Sequence, residues 1–294
     1  MRPLLVCGTS NVETVLHLSG ETLPPVGGVF PDSLGLNVSG VGANLAFGLN
    51  RLGSPVRLLT LVADDPAGKF VRLGFDGIDA CFAPTRVTPH TLALVRPDGT
   101  HTFYRDPGDT PDDPAPVTEF SNLLPGCVAA LMTNVGWTRG LLPLARRAGL
   151  PILTDVQNIA VLDNPYDAPY FAAADVLMLS AERLTDRAAF LQELLNRSQA
   201  RLIVAGLGHE GALLLERGMD SLHHQPAFPV QTAHQGGAGD ALAAAFAHFL
   251  FTRTLEPRES LRLACAAAAL KLRTSGSGSG HATEGEVLEY AQNP

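Results

Sequence analysis

The chain has 294 residues, of which 46% are hydrophobic and 17% charged, and its net charge is −8. This composition is typical of a globular protein and excludes a disordered one, while the acidic balance argues against nonspecific nucleic-acid binding. No run of about 18 apolar residues predicts a membrane span, and the first residues turn polar too early for a signal peptide. The four cysteines lie far apart in apolar stretches, which indicates free buried thiols and a cytoplasmic protein.

Strand-like apolar runs alternate with helical patterns along most of the chain. In chain order, the predicted strands are LLVCG, VRLLTLV, VAALMTN, PILTDV, ADVLMLS and two within RLIVAGLGHEGALLLERG. The predicted helices are GANLAFGLNRLG, PAGKFVRLGF, TRGLLPLARRAG and two alanine-rich helices from Gly237 to about Arg273. This alternation predicts an α/β fold in which helices cover both faces of a parallel sheet.

Two segments interrupt this alternation and predict a small β appendage. Residues 12–40 and 88–105 are strand-rich and out of phase, and the second segment has the pattern of a hairpin with the turn RPDGT. The glycine- and serine-rich residues 274–281 are most simply a flexible loop. Their position after the last long helix would also allow them to border a site.

The segment GLGHEG, residues 206–211, matches the glycine pattern of dinucleotide-binding folds. That function requires the glycines to open a helix. Here they lead into ALLLE, which has the pattern of a strand. We therefore interpret the segment as a turn between two strands.

The segment QGGAGDALAAAF, residues 235–246, places glycines and an acid at the start of a helix. Gly237, Ala238 and Gly239 allow close backbone approach to a ligand, and the free N–H groups and dipole of the helix favour an anion. Asp240 in this position is either a helix cap or a general base. The glycines favour the base, which would take a proton from a substrate hydroxyl while the N–H groups stabilise a transferred phosphoryl group.

Two further stretches carry polar residues where ligands bind in α/β proteins. Gly40 and Gly42 precede Asn44 at a helix start, and the amide of Asn44 suits a polyol, although a capped helix is the simpler interpretation. Asn11 and Glu13 follow the first strand, and ligands of open α/β sheets gather at the carboxyl ends of strands.

Taken together, these motifs resemble those of the ribokinase-like, or PfkB, family of carbohydrate and nucleoside kinases. GGAGDA is similar to the C-terminal signature of that family, D-T-T-G-A-G-D, and SGVGANLAFGLNRLG resembles its N-terminal glycine signature. VADDPAGKF resembles its V-G-x-D-x-x-G block, and GLGHEGALL resembles the strand pair that lines its nucleotide site. The order and spacing fit along nearly the whole chain.

The resemblance implies one domain over residues 1–294, a three-layer α/β sandwich with a central, mainly parallel sheet and a small β lid. The lid segments are residues 12–40 and 88–105, approximately. The resemblance also implies ATP and Mg²⁺ as cofactors, and in many members of the family the lid forms a homodimer contact.

The resemblance further implies roles for individual side chains. Asp240 would be the catalytic base, with Gly237, Ala238 and Gly239 as the anion hole. The residues expected to face the substrate are Asn11, Glu13, Gly40, Gly42 and Asn44. Those expected to line the nucleotide and metal sites are Gly206, Gly208, Gly211 and Ser180 for ATP and Glu182 for the metal.

Two departures from the family pattern concern the substrate and a monovalent cation. Glu13 replaces an Asp, and its longer reach should shift how substrate hydroxyls are held. His234 replaces an Asp that helps hold a monovalent cation. This second replacement argues against a potassium requirement.

Two other departures lie in the surroundings of the nucleotide and the metal. In LSAERL, residues 179–184, Ser180 stands for the Asn of an N-x-x-E motif that serves hydrated magnesium. Arg183 falls on the position of the Glu, and Glu182 is one residue away. Gly206 replaces a common Thr in the nucleotide strand pair.

We therefore expect an ATP-dependent kinase that phosphorylates a hydroxyl of a small sugar or related polyol. One alternative is a nucleoside kinase of the same fold, for which Phe30, Phe103 or Tyr104 would have to stack on the base. Another is a ligand-binding homologue with weak catalysis, which the altered segment 179–184 favours. Asp155 would either support the site from a strand end or be a structural residue.

Overall fold

The computed structural model of the protein describes residues 1–23, 27, 32–219, 221–232, 236–274 and 276–293. The strands in this part of the chain are β1 (Leu4–Cys7), β2 (Asn11–His17), β3 (Leu34–Ser39), β4 (Val56–Leu61), β5 (Asp79–Ala83), β6 (His90–Val95), β7 (His101–Asp106), β8 (Ala129–Met132), β9 (Ile152–Asn158), β10 (Val176–Ser180), β11 (Leu202–Gly206), β12 (Ala212–Glu216) and β13 (His223–Gln225). The helices are α1 (Val41–Arg51), α2 (Pro66–Leu73), α3 (Val117–Leu123), α4 (Leu142–Arg147), α5 (Ala168–Ala173), α6 (Arg187–Arg197), α7 (Ala238–Ala247), α8 (Pro257–Lys271) and α9 (Glu284–Gln292).

A nine-stranded sheet forms the centre of the molecule, in the order β13-β12-β11-β10-β9-β8-β1-β4-β5. From β11 to β5 all neighbouring strands are parallel, whereas β12 and β13 add antiparallel pairs at one edge. The central parallel strands β1, β8, β10 and β11 are nearly continuous apolar runs because both faces of the sheet are covered. The carboxyl ends of the parallel strands therefore lie along one edge.

The central strands divide the core into two clusters because successive side chains of a strand point to opposite faces. In β1, Leu4 and Val6 join the cluster that contains residues of α1, α7, α8 and α9. Leu5 and Cys7 join the cluster on the other face, with residues of α3, α4, α5 and α6. The molecule is thus a three-layer α/β sandwich, as predicted.

A second, four-stranded sheet has the order β3-β2-β6-β7, in which β2 and β6 are parallel and the outer pairs antiparallel. Its strands fall, to within a residue at the ends, in the two segments that the sequence marked as out of phase. The hairpin of β6 and β7 turns at Asp98 and Gly99, where Gly99 has a φ of 82°. We refer to these four strands as the lid sheet.

Other sequence predictions have mixed outcomes. The strands and helices predicted from apolar runs are present, and GLGHEG is a turn between β11 and β12, with a short 3₁₀ turn at Gly208–Glu210. Strands β5 and β13 and helices α3, α5, α6 and α9 were not among the predicted elements. All four cysteines are free, and Cys81 is only half-buried. Within the described residues, no helix is long and apolar enough to cross a bilayer.

Candidate active site

The polar residues of the site collect where the parallel strands of the large sheet end. Ser180 closes β10 and pairs with Gly206, the last residue of β11. Asp155 lies on β9 at an irregularity in the pairing with β10, and its carboxylate accepts a hydrogen bond from the N–H of Gln157 (2.8 Å). The starts of α1 and α7, the lid sheet and residues 276–278 complete the surroundings.

Helix α7 begins in the geometry that its glycines predict. Gly237 is the N-cap in the left-handed region, with a φ of 80°, and a Cβ there would lie 2.4 Å from the carbonyl oxygen of Ser277. The first intrahelical bond runs from the N–H of Ala241 to the carbonyl of Gly237. The N–H groups before Ala241 therefore have no helical carbonyl to bind, and N–H groups of this kind at a helix start can bind an anion.

Asp240 is the third residue of α7 and does not cap the helix, because the N-cap is Gly237. Its Oδ2 instead accepts a hydrogen bond of 2.6 Å from Nδ2 of Asn44. Asn44 is buried in the first turns of α1, and its Oδ1 lies 3.5 Å from the hydroxyl of Ser39. The helix-cap interpretation of Asp240 is therefore wrong, and Asn44 orients the carboxylate.

Gly40 and Gly42 bring the start of α1 against the loop that follows β1. Gly40 has a φ of 104°, and a Cβ there would lie 2.5 Å from the carbonyl oxygen of Thr9. A Cβ on Gly42 would lie 2.5 Å from the carbonyl carbon of Gly8. Both glycines are thus explained by backbone packing, and a direct role in substrate binding stays a prediction.

The lid sheet contributes Asn11 and Glu13 to the site. Asn11 donates a hydrogen bond from Nδ2 to the hydroxyl of Thr91 (2.6 Å), while its Oδ1 is buried with no hydrogen-bond partner among the described residues. Such an atom is rare in a folded protein, and it is available to accept a bond from a substrate hydroxyl.

Glu13 is buried, and Ser277 occupies both of its carboxylate oxygens. Oε1 accepts a bond from the hydroxyl of Ser277 (2.7 Å), and Oε2 accepts one from its N–H (3.1 Å). The carboxylate therefore joins the lid sheet to the loop after α8. Its contact with a substrate stays a prediction.

The described residues of the loop after α8 border the site, as the position of this segment after the last long helix allowed. Ser277 is buried between Glu13 and Gly237. A Cβ on Gly278 would lie 2.1 Å from the carbonyl oxygen of Val38 and 3.3 Å from Oδ1 of Asn44. The glycines of this segment allow its backbone to approach α1, α7 and the lid sheet at once.

The residues predicted for ATP and the metal form a second group beside the first. Glu182 is exposed, and a Cβ on Gly208 would lie 2.9 Å from its Oε2. Gly211 has a φ of 104°, and a Cβ there would lie 2.1 Å from the carbonyl oxygen of Gln225. Close contacts within the protein therefore require glycine at positions 208 and 211. Ser180, Gly206 and Glu182 lie together at the strand ends.

No cluster of three or more metal-ligating side chains occurs in the part of the chain that the structure describes. Mg²⁺ in kinases commonly needs only one or two carboxylates, because substrate phosphates and water supply its other ligands. The solitary Glu182 beside Gly208 fits such a site. Its role as the metal-binding side chain stays a prediction.

Burial and neighbouring charges set the protonation of the central carboxylates. Burial raises the pKa of Asp240 to about 7, the hydrogen bond from Asn44 opposes this rise, and the negative charge of Asp155 adds to it. Burial raises the pKa of Asp155 to about 6, with the N–H of Gln157 acting in the opposite direction. A carboxyl group with a pKa near neutrality suits a general base.

We expect kcat/KM to fall tenfold for each pH unit below about 7, because protonated Asp240 cannot accept the proton of a hydroxyl. The Asp155→Asn enzyme should show this acid limb at lower pH, since the substitution removes a like charge that raises the pKa of Asp240. Measuring kcat/KM between pH 5 and 8 (roughly the range that separates the two limbs) checks both statements. An acid limb that stays in place or moves upward in the variant would contradict the coupling.

Sequence reasoning missed two residues of the site, Lys271 and Ser277. Lys271 is fully buried at the end of α8, where it donates to two loop carbonyls. A signal for it exists: Lys271 follows Ala264 and Ala267 at helical spacing, on the buried face of an apolar helix. Ser277 has no such signal, because only the fold brings it to Glu13. His234 and Phe30 lie outside the described residues.

Comparisons with known proteins agree with this geometry. Residues 173–284 match the pfkB family of carbohydrate kinases. The chain is 28% identical over 257 residues, 83% of each protein, to the acarbose 7(IV)-phosphotransferase of an Actinoplanes species. It superposes with a TM-score of 0.90 and 21% identity on a microbiome-derived acarbose kinase, covering 99% of both chains. The Arabidopsis thaliana ribokinase with ribose and ATP superposes with a TM-score of 0.83 and 20% identity, over 100% of this chain and 99% of that one.

The fold is that of the ribokinase-like kinases, and a Gly-rich helix start and an acid lie at the carboxyl edge of its mainly parallel sheet. The family match over residues 173–284 and the carbohydrate-kinase relative support a ribokinase-like carbohydrate kinase. The resemblance drawn from its motifs is thereby confirmed, and so is the prediction that the protein is a kinase. Its kinase homologues imply the use of ATP.

Proposed function

We propose that this protein transfers the γ-phosphoryl group of ATP to a hydroxyl of a carbohydrate or related polyol, with Asp240 as the general base. The observation that carries the proposal is the placement of Asp240 in the first turn of α7, where Asn44 holds its carboxylate beside the Gly237–Gly239 backbone. A carboxylate in this position reaches the attacking oxygen and the N–H groups reach the transferred group.

In the proposed step, the carboxylate of Asp240 takes the proton of the substrate hydroxyl as its oxygen forms a bond to the γ-phosphorus. The bond from the γ-phosphorus to the bridging oxygen of ADP breaks at the same time. The N–H groups at Gly237, Ala238 and Gly239 stabilise the charge on the transferred group. Mg²⁺, for which Glu182 is the proposed side chain, would offset the charge of the phosphates when bound.

The substrate side of the site is polar, which supports a polyhydroxylated substrate. Asn11 and Glu13 lie on β2 of the lid sheet, the Oδ1 of Asn11 has no hydrogen-bond partner among the described residues, and Asn44 donates to Asp240 at the start of α7. Because two relatives are named for acarbose, acarbose and related oligosaccharides come first among the substrates to test. A small sugar such as ribose comes next.

A nucleoside is less well supported, because the lid sheet offers no free aromatic face to a base in its described part. The ring of Phe103 already contacts the His101 ring, with 4.3 Å between centroids, and the Arg105 guanidinium at 4.9 Å. Tyr104 points to the opposite face of β7 from Phe103 and is 58% exposed. The intact placement of Asp240 also argues against a homologue that only binds its ligand.

The test is ADP release with Mg-ATP against acarbose, maltose-type oligosaccharides, ribose, fructose and inosine. Mass spectrometry should show one added phosphoryl group on the accepted substrate, and NMR should locate it. Turnover with a carbohydrate alone supports the proposal, whereas turnover with inosine alone would establish a nucleoside kinase. Folded protein that binds acarbose or ribose without ADP release would favour the ligand-binding alternative.

We also propose that the lid sheet mediates a homodimer. Leu34, Leu36, Leu92 and Tyr104 lie on one face of this sheet and are 70%, 56%, 37% and 58% exposed. Cross-strand pairing places Leu36, Thr14, Leu92 and Tyr104 in one row. An exposed apolar row of this kind is typical of an association surface, and a second copy would supply a matching one.

We expect light scattering to give the mass of a dimer for the native chain and of a monomer for Leu36→Asp with Leu92→Asp. An unpaired charge at each position would oppose burial of this face. Val161→Asp is the matched control, since Val161 is 62% exposed outside the lid sheet and its substitution should leave the dimer intact. A native chain that stays monomeric at micromolar concentration would contradict the proposal.

A further inference from the structure

Lys271, the last residue of α8, is buried behind the start of α7. Its Nζ donates hydrogen bonds to the carbonyl oxygens of Gly276 (2.8 Å) and Gly236 (3.3 Å). Gly236 directly precedes the N-cap Gly237, and Gly276 directly precedes Ser277, whose carbonyl packs on Gly237. One ammonium group therefore joins the two loops that border the reaction centre.

A buried ammonium group is costly unless acceptors and negative charges replace its water. Here the acceptors are carbonyl oxygens, and the charges of Glu13 and Asp240 favour the ammonium without an ion-pair contact. Burial lowers the pKa of Lys271 to about 8, so the group stays mainly protonated at neutral pH. An apolar residue would suit the buried face of α8 at lower cost, so the charge itself calls for a functional explanation.

The loop that Lys271 holds is the loop in which this chain departs from the family's cation-binding pattern. His234 stands where the family has an Asp that helps hold a monovalent cation, two residues before Gly236. A free cation at this loop would draw on the same kind of carbonyl acceptors and would be repelled by the ammonium. The ammonium ion has about the charge and size of K⁺, and Lys271 supplies one that is covalently attached.

We propose that Lys271 is a positioning residue whose ammonium group takes the place of a monovalent cation in this kinase. It holds the Gly237–Gly239 backbone in place and keeps a positive charge behind the transferred phosphoryl group. This inference rests on the proposed kinase function. It implies that turnover does not depend on potassium.

The first test compares ADP release in tetramethylammonium, sodium, potassium and ammonium chloride at equal ionic strength. The kcat of the native enzyme should differ by less than about twofold between these salts. The Lys271→Ala enzyme should lose about 10²–10³-fold in kcat, as for loss of one oxyanion-stabilising group. Potassium or ammonium ions should raise the kcat of this variant about tenfold or more over its value in tetramethylammonium chloride, because the shorter side chain leaves room for them. Lys271→Met fills that room and should not be restored.

Lys69 provides a matched control, because it is the other of the two lysines in the chain and lies exposed on α2. Lys69→Ala should keep the native kcat in every salt. A second readout needs no turnover: the melting temperature of ligand-free Lys271→Ala should rise in potassium relative to tetramethylammonium chloride, since a bound ion stabilises the folded state. The native chain and Lys271→Met should show no such difference.

Stimulation of the native enzyme by potassium of more than about tenfold would overturn the inference. A Lys271→Ala enzyme with native kcat would also overturn it. The same holds for a Lys271→Ala enzyme whose kcat and melting temperature are both unchanged by potassium and ammonium. If none of the tested substrates leads the native chain to release ADP, the proposed function fails. The melting temperatures alone then decide whether Lys271 fills a cation site.

Discussion

The Asp240→Asn enzyme is expected to lose about 10²–10⁴ in kcat, the usual contribution of a general base. The amide oxygen of the introduced side chain can still accept the hydrogen bond from Asn44, so the geometry of the α7 start should remain. Dissociation constants for Mg-ATP and for the accepted sugar should therefore stay close to the native values. Steady-state kinetics and isothermal titration calorimetry measure the two effects separately.

The stability of the same variant separates a catalytic carboxylate from a structural one. Burial raises the pKa of Asp240 to about 7 in the folded protein. The free energy of unfolding therefore decreases as the pH rises from the pKa of this carboxyl in the unfolded chain towards 7. At pH 8 (roughly one unit above the folded pKa), the ligand-free Asp240→Asn variant should melt no lower than the native chain. A variant that melts lower and loses ligand binding together with turnover would make Asp240 structural. A variant with native kcat would remove Asp240 as the base.

The Gly239→Ala enzyme is expected to fold normally and to lose at least about 10²-fold in kcat/KM, because small displacements at a reacting centre have effects of this size. A Cβ on Gly239 would meet no described atom within 4 Å, so it projects into open space in front of the α7 start. In the proposed step, the transferred phosphoryl group approaches this backbone. The added methyl group would hold it away from the N–H donors.

Gly285→Ala is a matched control for this substitution. Gly285 and Gly239 are each the second residue of their helix, both are exposed, and a Cβ on Gly285 also meets no described atom within 4 Å. Thermal unfolding should show equal or slightly higher stability for both variants, since alanine is favoured over glycine in helices. Only Gly239→Ala should lose activity; native kcat/KM in that variant would contradict the anion hole at Gly237–Gly239.

Local patterns account for much of the fold. The strands of the parallel sheet are continuous apolar runs, and the start of α7 follows from a glycine cluster before an alanine-rich helix. Half-buried elements were harder to predict, because β5 is an edge strand with one buried residue and α5 spans only six residues. Helix α6 could have been predicted from the sequence, since Leu191, Leu194 and Leu195 follow helical spacing after the N-cap Asp186.

The residues of the site, like the elements of the fold, differ in how far local sequence patterns predict them. Asp240, Gly237, Asn44 and Glu13 stand in sequence motifs from which they can be predicted, because the first three lie at helix starts and Glu13 lies in the segment that follows β1. The contacts of these residues cannot be predicted in the same way, because Ser277 is 264 positions from Glu13, and Asp240 is 196 positions from Asn44. The distances that make these pairs arise only when the helices and the lid sheet pack.

The sequence alone was enough to predict the α/β class, a resemblance to the PfkB kinases and Asp240 as the central acid, since apolar periodicity and glycine-rich helix starts act over a few neighbouring residues. Only the tertiary structure shows that Asn44 orients Asp240, that Ser277 holds Glu13, and that Lys271 lies behind the start of α7. These contacts join segments far apart in the chain. Their free energy comes from burial and charge in the packed molecule, which no local pattern encodes.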